Sequence, residues 1–519
     1  MVRYVASVDA LAVAAAKDAA LPKVVLIGTQ ETPGLELITR VVVRLTGSPV
    51  DPVAAQILAH AVMELAPTPD VSASTHVYLP VGNGKTDVVS VTVAQLPTHV
   101  SRYNTPARPH AISELVKANA SSGAVVVALS LPDHDFTFEA AAFGVAKGIP
   151  AYAHKSNSPF RGVVTDGFAT SFPPDDVQVV FHEALTECQV SYLNHTAASI
   201  HLTQRLVDAP ANELNTDTFV AEARAVAART GAAVKVIRGE ELREQGFGGL
   251  YGVGKAAAHP PALVVLSYYP PSTDATTGSV ALVGKGIVYD TGGLDLKLSG
   301  AMQGMKDDMG GAAGLLGGFQ AAVLSRTITA RPLHVVLCLA ENAIGPLATR
   351  PDDIHTFYSG KTVEVNDTDA EGRLALGDGV AYAVKHLNPS LLVDMATLTG
   401  AQGLTTGQRI ASVYANTNEA EAWAVAAGRR SGDLVHPVPY CPEFFRPEYK
   451  SEVADMKNYM ANTKNAGVSC AGQFIGNHLG EYETNGHWIH VDMAYPVASG
   501  GRATGYGVSF VQALLAEYK

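Results

Sequence analysis

The stretch "SVALVGKGIVYD" at residues 279–290 is apolar along most of its length and ends in an aspartate. Two later stretches are also largely apolar, "LHVVLCLAEN" at 333–342 and "SLLVDMATLTG" at 390–400. Continuous apolar runs of this kind are typical of strands that are covered on both faces, as in a central parallel or mixed sheet. We therefore predict a large α/β domain at residues 207–519, built on a mixed, largely parallel central sheet.

The chain before this domain alternates between strand-like and helix-like segments, which predicts a smaller α/β domain at residues 1–175. Helices are expected there at 52–65 and 137–147. The next stretch, 176–206, is compatible with a long helix, and we expect it to connect the two domains. The strands of the N-terminal domain are expected at 23–28, 36–45, 75–80 and 123–130.

Length and composition fit two domains and exclude several classes of function. At 519 residues the chain is too long for one ordinary core. The net charge of −12, without any basic run, argues against nucleic acids and anionic membranes as partners. No stretch of about 18 residues is both apolar and uncharged, so we expect no membrane span. The four cysteines form no CxxC pair, which is typical of a reducing compartment, and we expect a cytoplasmic protein.

Charged side chains stand at the ends of the apolar elements, and strand ends are where sites assemble in open α/β sheets. "VGKGIVYDTGGLDLKLSG" at 283–300, "GMKDDMGGAAG" at 304–314 and "NDTDAEGR" at 366–373 carry them. If the extended segment that begins at residue 362 continues through 371, Asp369 and Glu371 share one face, because side chains two apart in a strand point the same way.

Buried carboxylates repel one another unless cations hold them together, and the sequence allows two kinds of cation. Lysine and arginine alone would give a structural ion-pair network. Alternatively, three or four carboxylates can bracket two divalent metal ions. Oxygen-rich ligation leaves Mn²⁺, Mg²⁺, Co²⁺ and Zn²⁺ all open.

Several long motifs in one order resemble the leucine aminopeptidase family, the cytosol-type two-metal aminopeptidases. They cover about residues 206–519, whereas the first 170 or so residues contain no motif that we can match to that family. The motifs are "LVDAPANELNTDTF" at 206–219, "EELREQGFGGLYGVGKAAAHPPALVVLSY" at 240–268, "VGKGIVYDTGGLDLK", "MKDDMGGAA", "NDTDAEGRLALGDGVAYA", "TLTGA", "SEVADMKN", "HWIHVDMA" and "ATGYGV".

The resemblance implies an exopeptidase that hydrolyses the N-terminal residue, often leucine, from peptides by means of a water activated by two metal ions. It implies a bicarbonate held at Arg373 as general base, and Lys297 as the group that stabilises the oxyanion. It also implies a homohexamer with two divalent ions per subunit, Zn²⁺ or Mn²⁺. Carried over position by position, the metal ligands are Lys285, Asp290, Asp308, Asp369 and Glu371, the catalytic residues are Lys297 and Arg373, and the substrate-binding residues are Met305, Thr397, Leu398 and Gly400.

Two positions depart from the family pattern. Asp367 stands where the family often has Asn, so its charge could alter substrate preference or metal affinity. Leu298 replaces a common Pro after Lys297, which concerns that loop rather than the lysine.

Two other functions compete with the peptidase. A metal-dependent phosphate-ester hydrolase or phosphotransferase would also use carboxylates, but it needs a phosphate cradle, and "VGNGKTD" at 81–87 lacks the first Gly of the GxxxxGK[ST] pattern. A DNA-binding or scaffold role, as in some bacterial relatives of the family, conflicts with the charge of −12.

Overall fold

The structure is a computed structural model that describes residues 1–12, 21–81, 87–120, 123–132, 137–155, 177–271, 273 and 277–518. These residues divide into two compact units. With the gaps just given, the first unit holds residues 1–155, 177–201 and 429–432, and the second holds 202–428 and 433–518.

The first unit is an α/β domain. Its strands are β1 (Val2–Tyr4), β2 (Lys23–Gly28), β3 (Ala73–Val81), β4 (Asp87–Gln95), β5 (Val125–Leu129) and β6 (Val177–Phe181). Its helices are α1 (Leu35–Thr46), α2 (Pro52–Met63), α3 (Pro109–Asn119), α4 (Thr137–Gly148) and the first part of α5 (Glu187–Asp208), together with a 3-10 turn at Val8–Ala10.

These strands form a sheet in the order β1-β6-β5-β2-β4-β3. All neighbouring pairs are parallel except β3 with β4. Strands β2 and β5 are buried over almost their whole length, as expected for parallel strands covered on both faces. The predicted strands at 23–28, 75–80 and 123–130 are confirmed.

The segment 36–45, by contrast, was expected as a strand and is part of helix α1. Its apolar residues Leu37, Ile38, Val41, Val42 and Leu45 are the buried ones. They are spaced by three and four residues, the spacing that places side chains on one face of a helix. The β-branched content of "RVVVRL" favours a strand, but the helical spacing determines the structure.

The segment 176–206, expected as one connecting helix, begins differently. Strand β6 pairs with both β1 and β5, and α5 begins only at Glu187. The apolar, β-branched sequence "VQVVF" suits a buried strand and accounts for this difference. The predicted domain boundary at residue 175 lies outside the described residues and stays a prediction.

The second unit is also α/β, and its strands and helices alternate along most of its length. Its strands are β7 (Ala233–Arg238), β8 (Ala262–Tyr268), β9 (Ser279–Asp290), β10 (Leu333–Asn342), β11 (Ile354–Thr356), β12 (Thr362–Glu364), β13 (Pro389–Ala396), β14 (Ala411–Ala415), β15 (Val435–Pro437), β16 (Met456–Lys457), β17 (His487–Asp492), β18 (Ala498–Ser499) and β19 (Arg502–Ala503). After the end of α5 its helices are α6 (Thr216–Thr230), α7 (Glu240–Glu244), α8 (Gly248–Gly254), α9 (Gly310–Leu324), α10 (Glu371–His386), α11 (Gly400–Thr405), α12 (Asn418–Ser431), which enters the first unit near its end, α13 (Pro442–Phe445), α14 (Gly467–Gly476), α15 (Tyr482–Asn485) and α16 (Val508–Glu517), with 3-10 turns at Met305–Asp307 and Arg446–Tyr449.

The main sheet of this unit has the order β15-β14-β17-β13-β9-β10-β8-β7. Its four middle strands, β17, β13, β9 and β10, are parallel, and β14, β8 and β7 add antiparallel pairs on either side. The predicted fold class, two α/β domains with a mixed, largely parallel sheet in the larger one, is confirmed. None of the helices described is long and apolar enough to cross a lipid bilayer.

Helix α9 packs unusually close to the central strand β9. A Cβ at Gly284 would lie 2.5 Å from the Cα of Ala312, and one at Gly311 would lie 2.0 Å from the carbonyl oxygen of Met395. Glycine is therefore required at 284, where β9 meets α9, and at 311, where α9 meets β13. Because the four middle strands are parallel, their carboxyl ends lie along one edge of the sheet. Those ends carry Asp290 (β9), Asn342 (β10), Ala396 (β13) and Asp492 (β17).

Candidate metal centre and active site

Strand β9 carries two of the predicted site residues, Lys285 and Asp290, which are five positions apart. In a regular strand they would point to opposite faces. The register with β10 shifts between Ala340 and Glu341, so that Ile287 pairs with Ala340 while Tyr289 pairs with Glu341. This β-bulge inserts one extra residue into β9 and returns Asp290 to the face that carries Lys285.

Lys285 lies at the centre of a buried cluster. Its Nζ lies 2.8 Å from Oδ1 of Asp308 and 3.0 Å from Oε1 of Glu371. It also donates to the backbone carbonyl of Thr397 at 2.8 Å. A Cβ at Gly372 would lie 2.5 Å from Cε of Lys285, so glycine at this position lets the first turn of α10 approach the lysine. All three charged side chains are buried.

Lys297 lies beside this cluster and bridges two more of the predicted ligands. Its Nζ lies 2.8 Å from Oδ2 of Asp290 and 2.6 Å from Oδ1 of Asp369. The loop that carries Lys297 leaves β9 through Gly292, whose φ of 85° is in the left-handed region. A Cβ at Gly292 would lie 3.0 Å from Oδ1 of Asp369, so a larger residue would also crowd the cluster.

The loop after β9 is tied to the loop before α10. Thr368 donates its backbone N–H to Oδ2 of Asp295 at 2.7 Å, and Asp295 donates its own N–H to Oγ1 of Thr368 at 2.8 Å. Asn342, at the end of β10, donates to Oδ1 of Asp290 at 2.9 Å and to the carbonyl of Thr368 at 3.1 Å. These bonds hold Asp290 and Lys297 in fixed positions relative to Asp369.

The expectation that Asp369 and Glu371 share one extended face is wrong, because strand β12 ends at Glu364 and Glu371 is the first residue of α10. The loop between them is held by Asn458, whose Oδ1 accepts from the backbone N–H of Asn366 at 2.8 Å. Within the loop, Oδ1 of Asp367 accepts from the N–H of Asp369 at 2.8 Å. The two carboxylates converge through a turn and a helix start, where a negative charge is favourable.

Arg373 lies in the first turn of α10 and is 5% exposed. Its Nη1 donates to the hydroxyl of Tyr449 and to the carbonyl of Asn458, both at 3.2 Å, and its guanidinium lies 5.4 Å from the ring centre of Tyr459. Its buried Nε has no hydrogen-bond partner within the described residues. Part of the guanidinium therefore remains available to an anion.

The predicted substrate-binding residues lie on three elements. Met305 opens a 3-10 turn three positions before Asp308 and is half-buried. Thr397 donates from Oγ1 to Oδ1 of Asp308 at 2.9 Å, which joins it to the cluster. Leu398 donates its N–H to Oδ1 of Asp492 at 3.2 Å. Gly400 begins α11 and faces open space, since a Cβ there would meet no heavy atom within 4 Å.

Burial and mutual repulsion raise the pKa values of the Asp308, Asp369 and Glu371 carboxyls. Burial, followed by the charge of Asp290, raises the pKa of Glu371 to about 7. Burial also raises the pKa of Asp308 well above its usual range and raises that of Asp369. For Lys285, burial lowers the pKa, but the carboxylates of Asp308 and Glu371 outweigh it and the net shift is upward. Without another cation, protons and lysines offset the negative charge.

The donor set fits divalent metal ions. One oxygen each from Asp290, Asp369 and Glu371 lies within 4.8 Å of the other two. The second oxygen of Asp308, Oδ2, is buried and has no hydrogen-bond partner within the described residues. A structural ion-pair network would be expected to satisfy such an oxygen, because buried polar atoms are nearly always paired. The unpaired oxygen therefore favours a metal site over lysine pairing alone.

Three positioning residues were not identified from the sequence. Asn342 and Asn458 are uncharged, and their role depends on contacts across the fold rather than on a local pattern. Tyr449 contacts Arg373 from a short 3-10 turn. For Asn458 a signal existed, since it ends the motif "SEVADMKN".

Comparisons with known proteins cover both units of the chain. Residues 201–512 match the sequence model described as "Cytosol aminopeptidase family, catalytic domain". Residues 22–163, where the sequence analysis finds no family motif, match "M17 aminopeptidase N-terminal domain 2". The human protein described as "Probable aminopeptidase NPEPL1" is 48% identical over 427 residues, which are 82% of this chain and 79% of the relative.

Solved structures of leucyl aminopeptidases are also similar to this chain. The leucyl aminopeptidase of Leishmania major, in complex with actinonin, is 37% identical with a TM-score of 0.85, covering 99% of this chain and 94% of that one. The leucyl aminopeptidase of Trypanosoma brucei, in complex with bestatin, is 42% identical with a TM-score of 0.82, covering 95% and 91%.

The fold, the carboxylate cluster and these matches together define a peptidase, a hydrolase of peptide bonds. The chain belongs to the cytosol aminopeptidase family, M17, and has both the N-terminal and the catalytic domain of that family. The resemblance to leucine aminopeptidases is thereby confirmed, and it supports the N-terminal residue of a peptide as the point of attack.

Proposed function

We propose that this protein is a metal-dependent exopeptidase that removes a leucine-like N-terminal residue from peptides in the cytoplasm. One observation carries the proposal: in a member of an aminopeptidase family, Asp290, Asp369 and Glu371 converge beside Asp308, whose buried Oδ2 has no partner within the described residues. Such an arrangement is costly for stability alone and useful for binding cations.

The five residues that would hold two divalent ions are Lys285, Asp290, Asp308, Asp369 and Glu371. When bound, the ions supply polarisation of the scissile carbonyl and a lowered pKa of the attacking water. We propose Zn²⁺ or Mn²⁺, and the oxygen-rich set also suits Mg²⁺ or Co²⁺. Lys285 must lose its proton before it can act as a ligand, so its two ion pairs would be replaced when the site is loaded.

Lys297 would stabilise the oxyanion that develops on the substrate carbonyl. Its side chain is 15% exposed, so its ammonium lies at the accessible margin of the cluster. Burial lowers the pKa of Lys297, but Asp290 outweighs it, and the net shift is upward, which keeps the group charged as a donor. Arg373, through its unpaired Nε, would hold a small anion, for which the family resemblance implies bicarbonate.

Selectivity for an N-terminal residue would follow from the metal ions that the site would hold. A free, uncharged amine can bind a divalent ion held by the carboxylates, and an internal peptide bond offers none. Thr397 joins the cluster directly, and Met305, Leu398 and Gly400 would form the pocket for the first side chain. The open space at Gly400 leaves room for a leucine-like group.

We also propose that the protein assembles as a homohexamer. Light scattering after size-exclusion chromatography tests this assembly.

The experiment is reconstitution of metal-free protein with one ion at a time, followed by a panel of aminoacyl p-nitroanilides. We expect leucine p-nitroanilide to be turned over with Zn²⁺ or Mn²⁺, and not after chelation. N-acetyl-leucine p-nitroanilide is the matched control, because it lacks the free amine. Turnover of the acetylated substrate at a similar rate, or turnover of p-nitrophenyl phosphate alone, would show that the proposal is wrong.

A further inference from the structure

A cavity of about 230 Å³ lies in the first unit, at the carboxyl ends of its parallel strands. The segments that follow β2, β4 and β5 form its walls. Strand β2 lies between β4 and β5 in the sheet. After β2 the chain therefore adds β4 on one side of β2 and later adds β5 on the other side. In open α/β sheets such a switch point leaves a crevice that binds ligands. The lining residues that matter are Glu31, Leu96, Val100, Arg108, Leu131 and Pro132.

Arg108 lines this cavity and is 8% exposed. Its Nε is buried without a hydrogen-bond partner in the part of the chain that the structure describes. A guanidinium nitrogen in this state has lost its hydration without replacement, which is rare and points to a ligand. The residue directly precedes helix α3 and has a φ of 50°. The positive end of that helix dipole also favours a bound anion.

Glu31 lines the same cavity from the segment after β2 and is exposed to solvent. Burial lowers the pKa of Arg108, and the nearby charge of Glu31 opposes that shift. No hydrogen bond or ion pair joins these two described side chains, so both charges remain available to a ligand. A dianion such as phosphate would be attracted by Arg108 and repelled by Glu31. A molecule with one negative and one positive group satisfies both.

The rest of the lining restricts the ligand further. Leu96, Val100, Leu131 and Pro132 give the cavity apolar walls between its charged groups. Its volume is below the range of roughly 300–1,000 Å³ that is usual for pockets of drug-sized ligands, so the ligand is small. Arg108 can bind a carboxylate through two parallel hydrogen bonds.

We propose that this cavity binds a free apolar α-amino acid, with its carboxylate on Arg108, its ammonium towards Glu31 and its side chain against the leucine, valine and proline walls. The site is separate from the carboxylate cluster of the second unit, and it requires none of the residues assigned to peptide hydrolysis. The inference therefore goes beyond the proposed function and does not depend on it.

Equilibrium dialysis of the full-length, metal-loaded protein with radiolabelled L-leucine, L-valine and L-phenylalanine tests the proposal. We expect Arg108→Gln to weaken binding of at least one of them about tenfold or more, while hydrolysis of leucine p-nitroanilide stays unchanged. Arg102→Gln is the matched control, since Arg102 is exposed and outside the lining. The Asp369→Asn variant, which disables the carboxylate cluster, should retain this Arg108-dependent binding.

Glu31→Gln removes the negative charge of the cavity and leaves Arg108 unchanged. The proposal can therefore still be tested if Arg108→Gln does not fold. Glu31→Gln should weaken leucine binding but not that of 4-methylpentanoate, which has the same carboxylate and side chain without the ammonium. The proposal is overturned if none of the three amino acids binds, if binding is equal in wild type and Arg108→Gln, or if inorganic phosphate displaces them at lower concentration than leucine itself.

Discussion

The side-chain amide of Asn458 donates a hydrogen bond to the backbone carbonyl of Asp367 at 2.6 Å and accepts one from the N–H of Asp367 at 3.3 Å. The same amide donates to the carbonyl of Ala370 at 3.3 Å. Asn458 is fully buried, so these bonds are not exchanged with water. They set the shape of the loop that carries Asp369 and delivers Glu371 to the start of α10.

Asn458→Ala should therefore disturb both the proposed metal centre and the stability of the fold. Removing several buried hydrogen bonds costs about 2–4 kcal/mol in the free energy of unfolding. Metal affinity should fall by about 10–100-fold, as is usual when a group that orients metal ligands is lost. Denaturant unfolding measures the first effect, and metal titration of the apo protein measures the second. Asn485→Ala, at an exposed position of α15, is the control, and an unchanged metal affinity in Asn458→Ala would refute the positioning role.

Asp369→Asn and Glu371→Gln should each abolish peptidase activity while leaving the proposed hexamer intact. Both changes keep the volume of the side chain and remove one carboxylate from the group whose oxygens lie within 4.8 Å of one another. Turnover should fall by about 10³-fold or more, since an essential group at a catalytic site is lost. Initial rates with leucine p-nitroanilide and light scattering measure the two properties. Glu419→Gln, exposed on α12, should behave as wild type, and near-normal turnover in either site variant would contradict the ligand assignment.

The sequence predicts the central sheet well, because long apolar runs are local signals. The predicted metal ligands lie close together in the structure, and their roles stay predictions. The sequence does not predict the bulge between Ile287 and Tyr289 that turns Asp290 towards Lys285, since the bulge is defined only by pairing with β10. The positioning role of Asn458 is not predicted from the sequence for the same reason. Its partners at 366–370 are distant in sequence and mostly backbone groups.

The N-terminal domain shows a different limit. Helix α1 contains the run "RVVVRL", whose β-branched composition favours a strand, although the buried apolar residues recur at the spacing of a helix. The cavity at Arg108 could not be predicted either, because it depends on the order of β4, β2 and β5 in the sheet.

Gly372→Ala tests the close packing of α10 against Lys285. The new Cβ would lie 2.5 Å from Cε and 2.7 Å from Nζ of Lys285, so the lysine must move. Alanine is favoured over glycine in helices by about 1 kcal/mol, which offsets part of the strain, and we expect the free energy of unfolding to change by no more than about 1 kcal/mol.

Activity, by contrast, should fall about tenfold or more in Gly372→Ala, because the new Cβ would displace the side chain of Lys285, which we propose as a metal ligand. Gly345→Ala is the matched control, since its Cβ would meet its nearest neighbour at 3.5 Å, an ordinary contact distance. Equal loss of activity in both variants, or none in Gly372→Ala, would be inconsistent with a role for this contact in placing Lys285.

The structural role of Asp367 is to form the turn before Asp369. Its Oδ1 accepts from the N–H of Asp369, and an asparagine offers the same acceptor atom at the same place. Asp367→Asn should therefore keep activity within about threefold, whereas Asp367→Ala should lose the turn and about 1 kcal/mol of stability. Burial, followed by the charge of Asp295, raises the pKa of Asp367, so the charge itself is disfavoured at this position. Steady-state kinetics of both variants with leucine and methionine p-nitroanilides show whether Asp367 acts through its turn or through its charge. If Asp367→Asn loses as much activity as Asp367→Ala, the carboxylate acts through its charge.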